Sequence, residues 1–521
     1  MQISTILMEA VTVHVAANEI IRAPCVREVA EVVKQKKLLD GDGLEASFVV
    51  KNEWKDNSRP ASSGQESLYM SYLMDPTALE LNEASCVNVY GQLDMSSFQS
   101  ALNQLIQRQE IFRCGFTHGP NGVEVYVSSV TDVPIRILES GMSQDEIRVA
   151  MEKECAVAFD LSSPPFLRAS IAPVAPSHNV VMILMHHILM DGWSMSKVWG
   201  EIMALYTSIT TPGEKTMLAE LPVQYSDFAA WERKQLEPGS DDHNKLVSYW
   251  KSRLQYATPI IQLPFDYPRS DDGGRDPAVL GVLVKAEMVS KLKAVAAKLK
   301  ISLYGLCLAA FRLMLCEFSA SDDVVIASSY SIRPPGTEDL IGYFLRMLLL
   351  RNRLEEGDTF ATLAQREMKT LTGAIEHSIL PLQDVIRVSD FPRAPGRTPA
   401  WQASITWDEE EWMDPSAANN AAAAPADDGA LKMEAFLIAP PAAPTDITLG
   451  LVPSSEGLQM ALHSDGNLFA MPTVKRMISR LYSILESAAT DVQAPLKDQA
   501  QGCRSSPSWF EGSDALVGRY V

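Results

Sequence analysis

The stretch VMILMHHILMDGWSM, residues 181–195, runs apolar for five residues and then sets two of the chain's eight histidines side by side. Asp191, Gly192 and Trp193 follow. A short unbroken apolar run reads as a strand buried on both faces. The segment DGWSMSKVWGEIMALYTSI, residues 191–209, has the apolar spacing of a helix. His186 and His187 therefore fall where a buried strand turns into a helix.

Four readings compete there. In the first, the histidines are structural, each satisfied by a carbonyl. The second is a metal site. Neighbouring residues on a strand point to opposite faces, and no third ligand stands at a recognisable spacing, so no metal is expected. The third, a serine triad, lacks a G-x-S-x-G at a strand-to-helix turn. In the fourth, one imidazole is packed inward while the other projects into a cavity, where it positions or accepts a proton near neutral pH. Asp191, if buried, then needs a cationic partner. Gly192 lets a substrate or backbone approach closely. That arrangement suits acyl transfer, an amine or hydroxyl attacking a thioester.

The rest of the chain bounds these readings. With 521 residues, two or three compact units are expected. Apolar residues at 46% and charged residues at 21% are ordinary for a globular protein. No apolar run approaches the roughly 20 residues of a membrane helix, and the first residues lack a basic segment before an apolar core. A net charge of −20 argues against nucleic acid and anionic membranes as partners. Seven scattered cysteines without a CxxC read as free thiols in a reducing, cytoplasmic setting.

Patterning divides the chain. EIIRAPCVREVAEVV, residues 19–33, has helical spacing, and residues 1–37 are expected to be helical. Residues 38–61 are polar and breaker-rich, an expected linker. Residues 62–238 and 239–490 each mix helix and strand signals, with an acidic connector near 236–250. In the second half Ser302 is placed to cap a helix beginning SLYGLCLAAF. The Ala-rich run 417–430 is expected to be a surface loop, and 491–521 a flexible tail.

HHILMDGWS resembles the HHxxxDG core of the condensation domains of nonribosomal peptide synthetases, which share the chloramphenicol-acetyltransferase fold. Further elements resemble that family in order. SSGQESLYM (62–70) resembles SxAQxRLW, and GQLDMSSFQSALNQLIQRQEIFRCGF (91–116) resembles the GxLD…RHExLRTxF segment. FDLSSPPFLRASI (159–171), YSDFAAWE (225–232), LPFDYPRS (263–270) and DLIGYFLRMLLLR (339–351) match later elements. So do HSILPLQDVI (377–386) and HSDGNLF (463–469). Gln109, Cys114, Leu382 and Gln383 depart from the family pattern, and Arg346-Met347 stands where the family has Asn-Thr. Residues 19–33 separately resemble the last helices of a carrier domain, without its attachment serine.

The resemblance implies an α/β fold, an α+β sandwich of two acetyltransferase-like lobes in a V with the active site in a tunnel between them. It implies an acyltransferase, with His187 as the tunnel-facing residue and the Gly192 N–H at the oxyanion. His186, Asp191, Arg333 and Arg113 would hold the motif in shape, Arg333 being the first candidate partner for Asp191 and Arg113 the second. Trp193, Ser194 and Arg346 would border the substrate tunnel. Tyr225, Asp227, Phe228, Trp231 and His377 are expected to pack rather than react. The implied partners are an upstream donor and a downstream acceptor carrier domain, whose phosphopantetheine arms bring the substrates, and an adenylation domain of the same assembly line. No covalently bound cofactor is expected, and the domain is expected to be a monomer. Ester formation, terminal release and carrier or tailoring-enzyme recruitment without chemistry stay open as alternatives. Epimerisation domains share HHxxxDG but continue DGVSWRIL, unlike DGWSMSKVW.

Overall fold

The run ending in the two histidines folds as the strand His178–His186, buried at every residue after its first. The computed structural model describes residues 49–496, except 120–121, 212–217, 258–259, 270–274, 390, 392–399, 409–430, 439 and 444, together with 517–518. The readings of residues 1–37 as a carrier-like helical segment and of 417–430 as a loop lie outside the described residues.

Among the described residues of the first half, strands β1 (Ser58–Pro60), β2 (Asn82–Tyr90), β3 (Cys114–Gly119), β4 (Gly122–Val127), β5 (Ile135–Ile137), β6 (Leu167–Ala175) and β7 (His178–His186) are interspersed with five α-helices. These are α1 (Ser63–Met74), α2 (Met95–Arg108), α3 (Gln144–Cys155), α4 (Gly192–Thr210) and α5 (Tyr225–Gln235). The second half contributes α6 (Asp241–Leu254), β8 (Pro277–Lys285), α7 (Ala286–Leu299), α8 (Leu303–Ser319), β9 (Asp323–Ser331) and β10 (Leu345–Arg353). It continues with α9 (Phe360–Glu376), α10 (Leu382–Ser389), β11 (Ala403–Trp407), β12 (Lys432–Ala435), β13 (Ile447–Ser454), β14 (Gly457–Asp465), α11 (Met471–Thr490) and β15 (Val517–Gly518).

Strand β7 is the centre of a five-stranded sheet, β12-β2-β7-β6-β5, and pairs antiparallel with β2 and β6. Both faces of that sheet are covered. On one side Asn82 Nδ2 donates to the Cys155 carbonyl at the end of α3. On the other, Trp199 Nε1 in α4 donates to Ser85 Oγ at 2.9 Å. A strand covered twice cannot alternate apolar and polar residues, which explains the unbroken run. Strands β1, β4 and β3 form a small second sheet, and a seven-stranded sheet, β10-β9-β11-β13-β14-β8-β15, organises the second half.

Local chemistry sets the helix starts. Ser62 caps α1 in a reciprocal box with Gln65, and Ser302 Oγ accepts the Gly305 N–H at 3.1 Å at the start of α8. Asp191 caps α4.

Two hydrophobic cores result. One gathers residues from Val49 to Phe228, the other from Leu246 to Leu496. The division is not a simple cut in the chain. Leu340, Ile341 and Phe344 pack in the first core, and so do Met433 and Phe436 around β12, which pairs with β2. Residues 49–61, expected as part of a linker, belong to the folded first lobe instead. There β1 pairs with β4, Val49 is buried, and Arg59 forms an ion pair with Glu110 at 3.2 Å. Leu496, at the start of the expected tail, is also buried. Among the described residues no single helix is long and apolar enough to cross a membrane.

Candidate active site at the lobe junction

After β7 the chain makes one 3-10 turn, His187–Leu189, before Asp191 starts α4. The two histidines leave the strand in different states. His186 is buried, and its Nδ1 accepts the Ile188 N–H at 3.1 Å, so a neutral ring carries its proton on Nε2. Burial, aided by the neighbouring His187 charge, lowers its pKa to about 3. It is a neutral packing residue, edge-on to Phe159.

His187 is half-buried. Its backbone N–H donates to the Leu81 carbonyl at 2.8 Å, and its Nδ1 lies 2.7 Å from the Met190 carbonyl oxygen. A carbonyl only accepts, so Nδ1 carries the proton and the neutral ring presents a bare Nε2 lone pair. From the second lobe the ring of Tyr343 meets it edge-on, with centroids 5.3 Å apart.

Asp191 is almost fully buried. Its Oδ1 accepts from the Ser194 backbone N–H at 2.9 Å and from Ser194 Oγ at 2.6 Å. Its Oδ2 accepts the Phe344 N–H at 3.3 Å. Arg333 Nη2 approaches Oδ1 at 3.3 Å, while Nη1 donates to the Thr337 and Leu340 carbonyls, both at 2.7 Å. The same guanidinium stacks 3.9 Å from the Phe344 ring centre. Arg113 does not reach Asp191; its Nε donates to the Ile106 carbonyl. Ser194 is buried and accepts the Gly342 N–H, joining the lobes at a second point.

Gly192 is exposed at the first turn of α4, where helix N–H groups lack partners within the helix. Trp193 is half-buried and donates from Nε1 to the Glu338 carbonyl at 3.4 Å. The structure commits Arg346 to an ion pair with Glu232 and a 2.8 Å hydrogen bond to Ser63 Oγ. Its side chain is buried, so the charge is not presented to open channel space. Tyr225 donates to the Tyr343 carbonyl at 2.6 Å, and His377 stacks on Tyr249 at 3.8 Å. The five described cysteines, Cys86, Cys114, Cys155, Cys307 and Cys316, are free and buried, and no cluster among the described residues has the makings of a metal site.

A family model described as Condensation domain matches residues 55–500. This chain belongs to the condensation-domain family of nonribosomal peptide synthetases. The condensation domain is 27% identical over 491 residues to malpinin synthetase of Mortierella alpina, covering 92% of this chain and 6% of that protein. It spans a small fraction of the length of such relatives. Among solved structures it resembles the X-domain in the complex of the X-domain and OxyB from teicoplanin biosynthesis, with a TM-score of 0.76 at 20% identity over 88% of this chain and 98% of that one. It also resembles the first condensation domain of the calcium-dependent antibiotic synthetase in complex with a substrate analogue, with a TM-score of 0.67 at 16% identity over 85% of this chain and 98% of that one. These likenesses show the fold, two lobes of the chloramphenicol-acetyltransferase type.

Tyr343 and Glu83, near His187, and Asp408, near Glu83, escaped the sequence reading. Tyr343 stood inside the IGYF element without a role. Glu83 lies on β2, two residues past the carbonyl that holds the His187 N–H. Asp408 directly follows β11. A carboxylate within a strand of a covered sheet was the available signal for Glu83.

Proposed function

We propose that this condensation domain forms an amide bond between two substrates held as thioesters on the phosphopantetheine arms of partner carriers. The acceptor amine attacks the donor carbonyl, the C–N bond forms, and the C–S bond breaks. His187 Nε2 takes the proton leaving the amine and returns it to the departing thiolate. The observation that carries this reading is the Nδ1 contact to the Met190 carbonyl, which holds the bare Nε2 at the junction of the lobes. An α-amine titrates near pH 8, so much of the imidazole's contribution is alignment of the nucleophile. The Gly192 N–H, at the positive end of a 19-residue helix, is the proposed donor to the oxyanion. A hydroxyl acceptor would use the same atoms and yield an ester.

A recruitment reading is favoured by one observation, the likeness to an X-domain whose structure is a complex with OxyB. One experiment separates the two. Donor and acceptor carriers, each loaded with an aminoacyl group, are mixed with the chain and the product is read by mass spectrometry. The amide reading expects a dipeptidyl carrier that disappears in His187→Ala. Carrier binding without product in the parent chain supports recruitment and overturns catalysis.

A further inference from the structure

We propose that the Tyr343 hydroxyl donates a hydrogen bond to the carbonyl oxygen of the donor thioester and, with the Gly192 N–H, holds the oxyanion that forms as the amine adds. The inference rests on the reading of His187 as the site of bond formation and adds a second donor to it.

The chain fixes Tyr343 in the frame of the histidine turn. Its ring meets His187 edge-on, with centroids 5.3 Å apart. The residues on either side are tied to the start of α4. The Gly342 N–H donates to Ser194 Oγ at 3.1 Å, and the Phe344 N–H to Asp191 Oδ2 at 3.3 Å. The Tyr343 carbonyl accepts from the Tyr225 hydroxyl at 2.6 Å. Gly342 lets this loop lie against the Tyr225 ring, where a Cβ would come within 2.1 Å of Cδ2. On another side the Tyr343 ring rests on Gly64 of α1, its Cδ1 2.7 Å from where a Cβ would stand. Ring, imidazole and the first turn of α4 thus form one assembly, and the phenol stands within a substrate group's reach of His187.

The hydroxyl is the part of this residue that the protein does not use. Two other tyrosines satisfy theirs within the fold, Tyr225 on the Tyr343 carbonyl and Tyr304 on Ser328 Oγ, both at 2.6 Å. That is the usual outcome for an enclosed tyrosine. Tyr343 is half-buried, yet among the described residues no hydrogen bond reaches its hydroxyl. Burial, with the Asp191 charge behind it, holds its pKa well above the ordinary tyrosine value, so it stays a donor throughout the neutral range.

The chemistry selects the acceptor. A donor on the amine's lone pair would block its attack, and a thioester sulfur accepts weakly. The carbonyl oxygen is the atom that gains charge. As the amine nitrogen bonds to the carbonyl carbon, the C=O π pair moves onto oxygen, and a donor already fixed there strengthens in the transition state. Tyr343 keeps its proton throughout. When the C–S bond breaks, the pair returns to the carbonyl, and the thiolate takes the proton that His187 received from the amine.

Tyr343→Phe removes this oxygen and keeps the ring against His187. Two stable probes read the change in the full chain, both pantetheine analogues with methylene in place of sulfur. One is a methyl ketone, planar like the thioester, and the other a methylphosphinate, tetrahedral and anionic like the intermediate. Calorimetry should show phosphinate binding weakened about tenfold or more in Tyr343→Phe, with ketone binding kept within about twofold. With loaded carriers kcat should fall about 100-fold while KM holds. The urea midpoint should not drop, because a hydroxyl without a partner contributes no hydrogen bond to the fold. Equal weakening of both probes, weakening of neither, absence of phosphinate binding in the parent or a lowered midpoint overturns the proposal. Product that needs His187 but not the Tyr343 hydroxyl sinks this inference alone. Phosphinate preference that depends on the hydroxyl, in a parent chain that makes no amide, supports the donor and overturns the amide reading alone.

Discussion

Arg333, just after β9, holds the Asp191 carboxylate across the lobe junction at 3.3 Å and stacks on Phe344 at 3.9 Å. Asp191 simultaneously caps α4. One carboxylate therefore fixes where the histidine turn ends, where the helix begins and how the second lobe's loop lies against both. His187 is oriented by a carbonyl within that turn, so the pair acts on the imidazole through backbone geometry rather than by contact.

Removing one member of this pair should leave a buried charge without its counterpart. Asp191→Ala is expected to lower stability by about 3–5 kcal/mol, with loss of the cap contributing about 1 kcal/mol of that. Arg333→Lys should not restore it, since an ammonium cannot serve two carbonyls, Ser194 Oγ and the carboxylate at once. Urea unfolding of the three proteins checks both statements.

His186 gives a pH dependence of definite sign. Its folded pKa of about 3 lies below the ordinary 6.5, so the unfolded chain binds its proton first as pH falls. Its contribution is complete above pH 6.5 and is lost progressively as the pH drops toward 3. Between pH 7 and pH 5 the loss is about 2 kcal/mol. His186→Gln should flatten this limb, because Gln has no charge to acquire and its oxygen can accept the Ile188 N–H. Comparing urea midpoints of the two proteins at pH 7 and pH 5 cancels other groups, including Glu83 and Asp408, whose carboxyls are pushed up by burial and act in the opposite direction. Parallel midpoints would show His186 titrating normally.

The histidine site was legible because its signals are local. A run of five apolar residues can only be a covered strand or helix, and the polar break after it marks an edge of the fold. Ser302 announced its cap in the same way. Elsewhere the deciding partners are far apart in sequence. Residues 49–61 look like a linker because their order comes from Asp227, which holds Asn52 from 175 positions away, and from the pairing of β1 with β4. Strand β12 has four residues and no strong pattern, yet it completes the first sheet from the second half of the chain. Arg346 read as a channel cation because nothing near it in sequence announces Glu232.

That ion pair is itself testable. Glu232 accepts from Arg346 and, at 2.7 Å, from the Ser63 N–H, with both charged side chains buried. Glu232→Ala should cost about 3–5 kcal/mol because the guanidinium is stranded. Combining Arg346→Met with Glu232→Gln removes both charges and keeps an acceptor for Ser63, so the double variant should lie within about 1–2 kcal/mol of the parent. A double variant less stable than Glu232→Ala would show that the charge itself, rather than its pairing, supports the junction. Thermal unfolding of the set distinguishes these outcomes.

Gly64 offers a way to disturb His187 without touching it. A Cβ at this position would lie 2.7 Å from the Tyr343 ring and 3.2 Å from Arg346 Nη1. Tyr343 is anchored through its carbonyl by Tyr225, and its ring bears edge-on against His187. Gly64→Ala must therefore turn the tyrosine ring or part α1 from β10, at a cost of about 1–3 kcal/mol. Either response moves the wall against which the imidazole rests. Amide formation with loaded carriers should fall by about tenfold or more, since misplacement by an ångström is enough to lose alignment. A Gly64→Ala, Tyr343→Ala double variant should recover the lost stability, because the clash is gone, but not the full rate, because the wall is gone too. Full recovery of rate in the double variant would show that Tyr343 does not position His187.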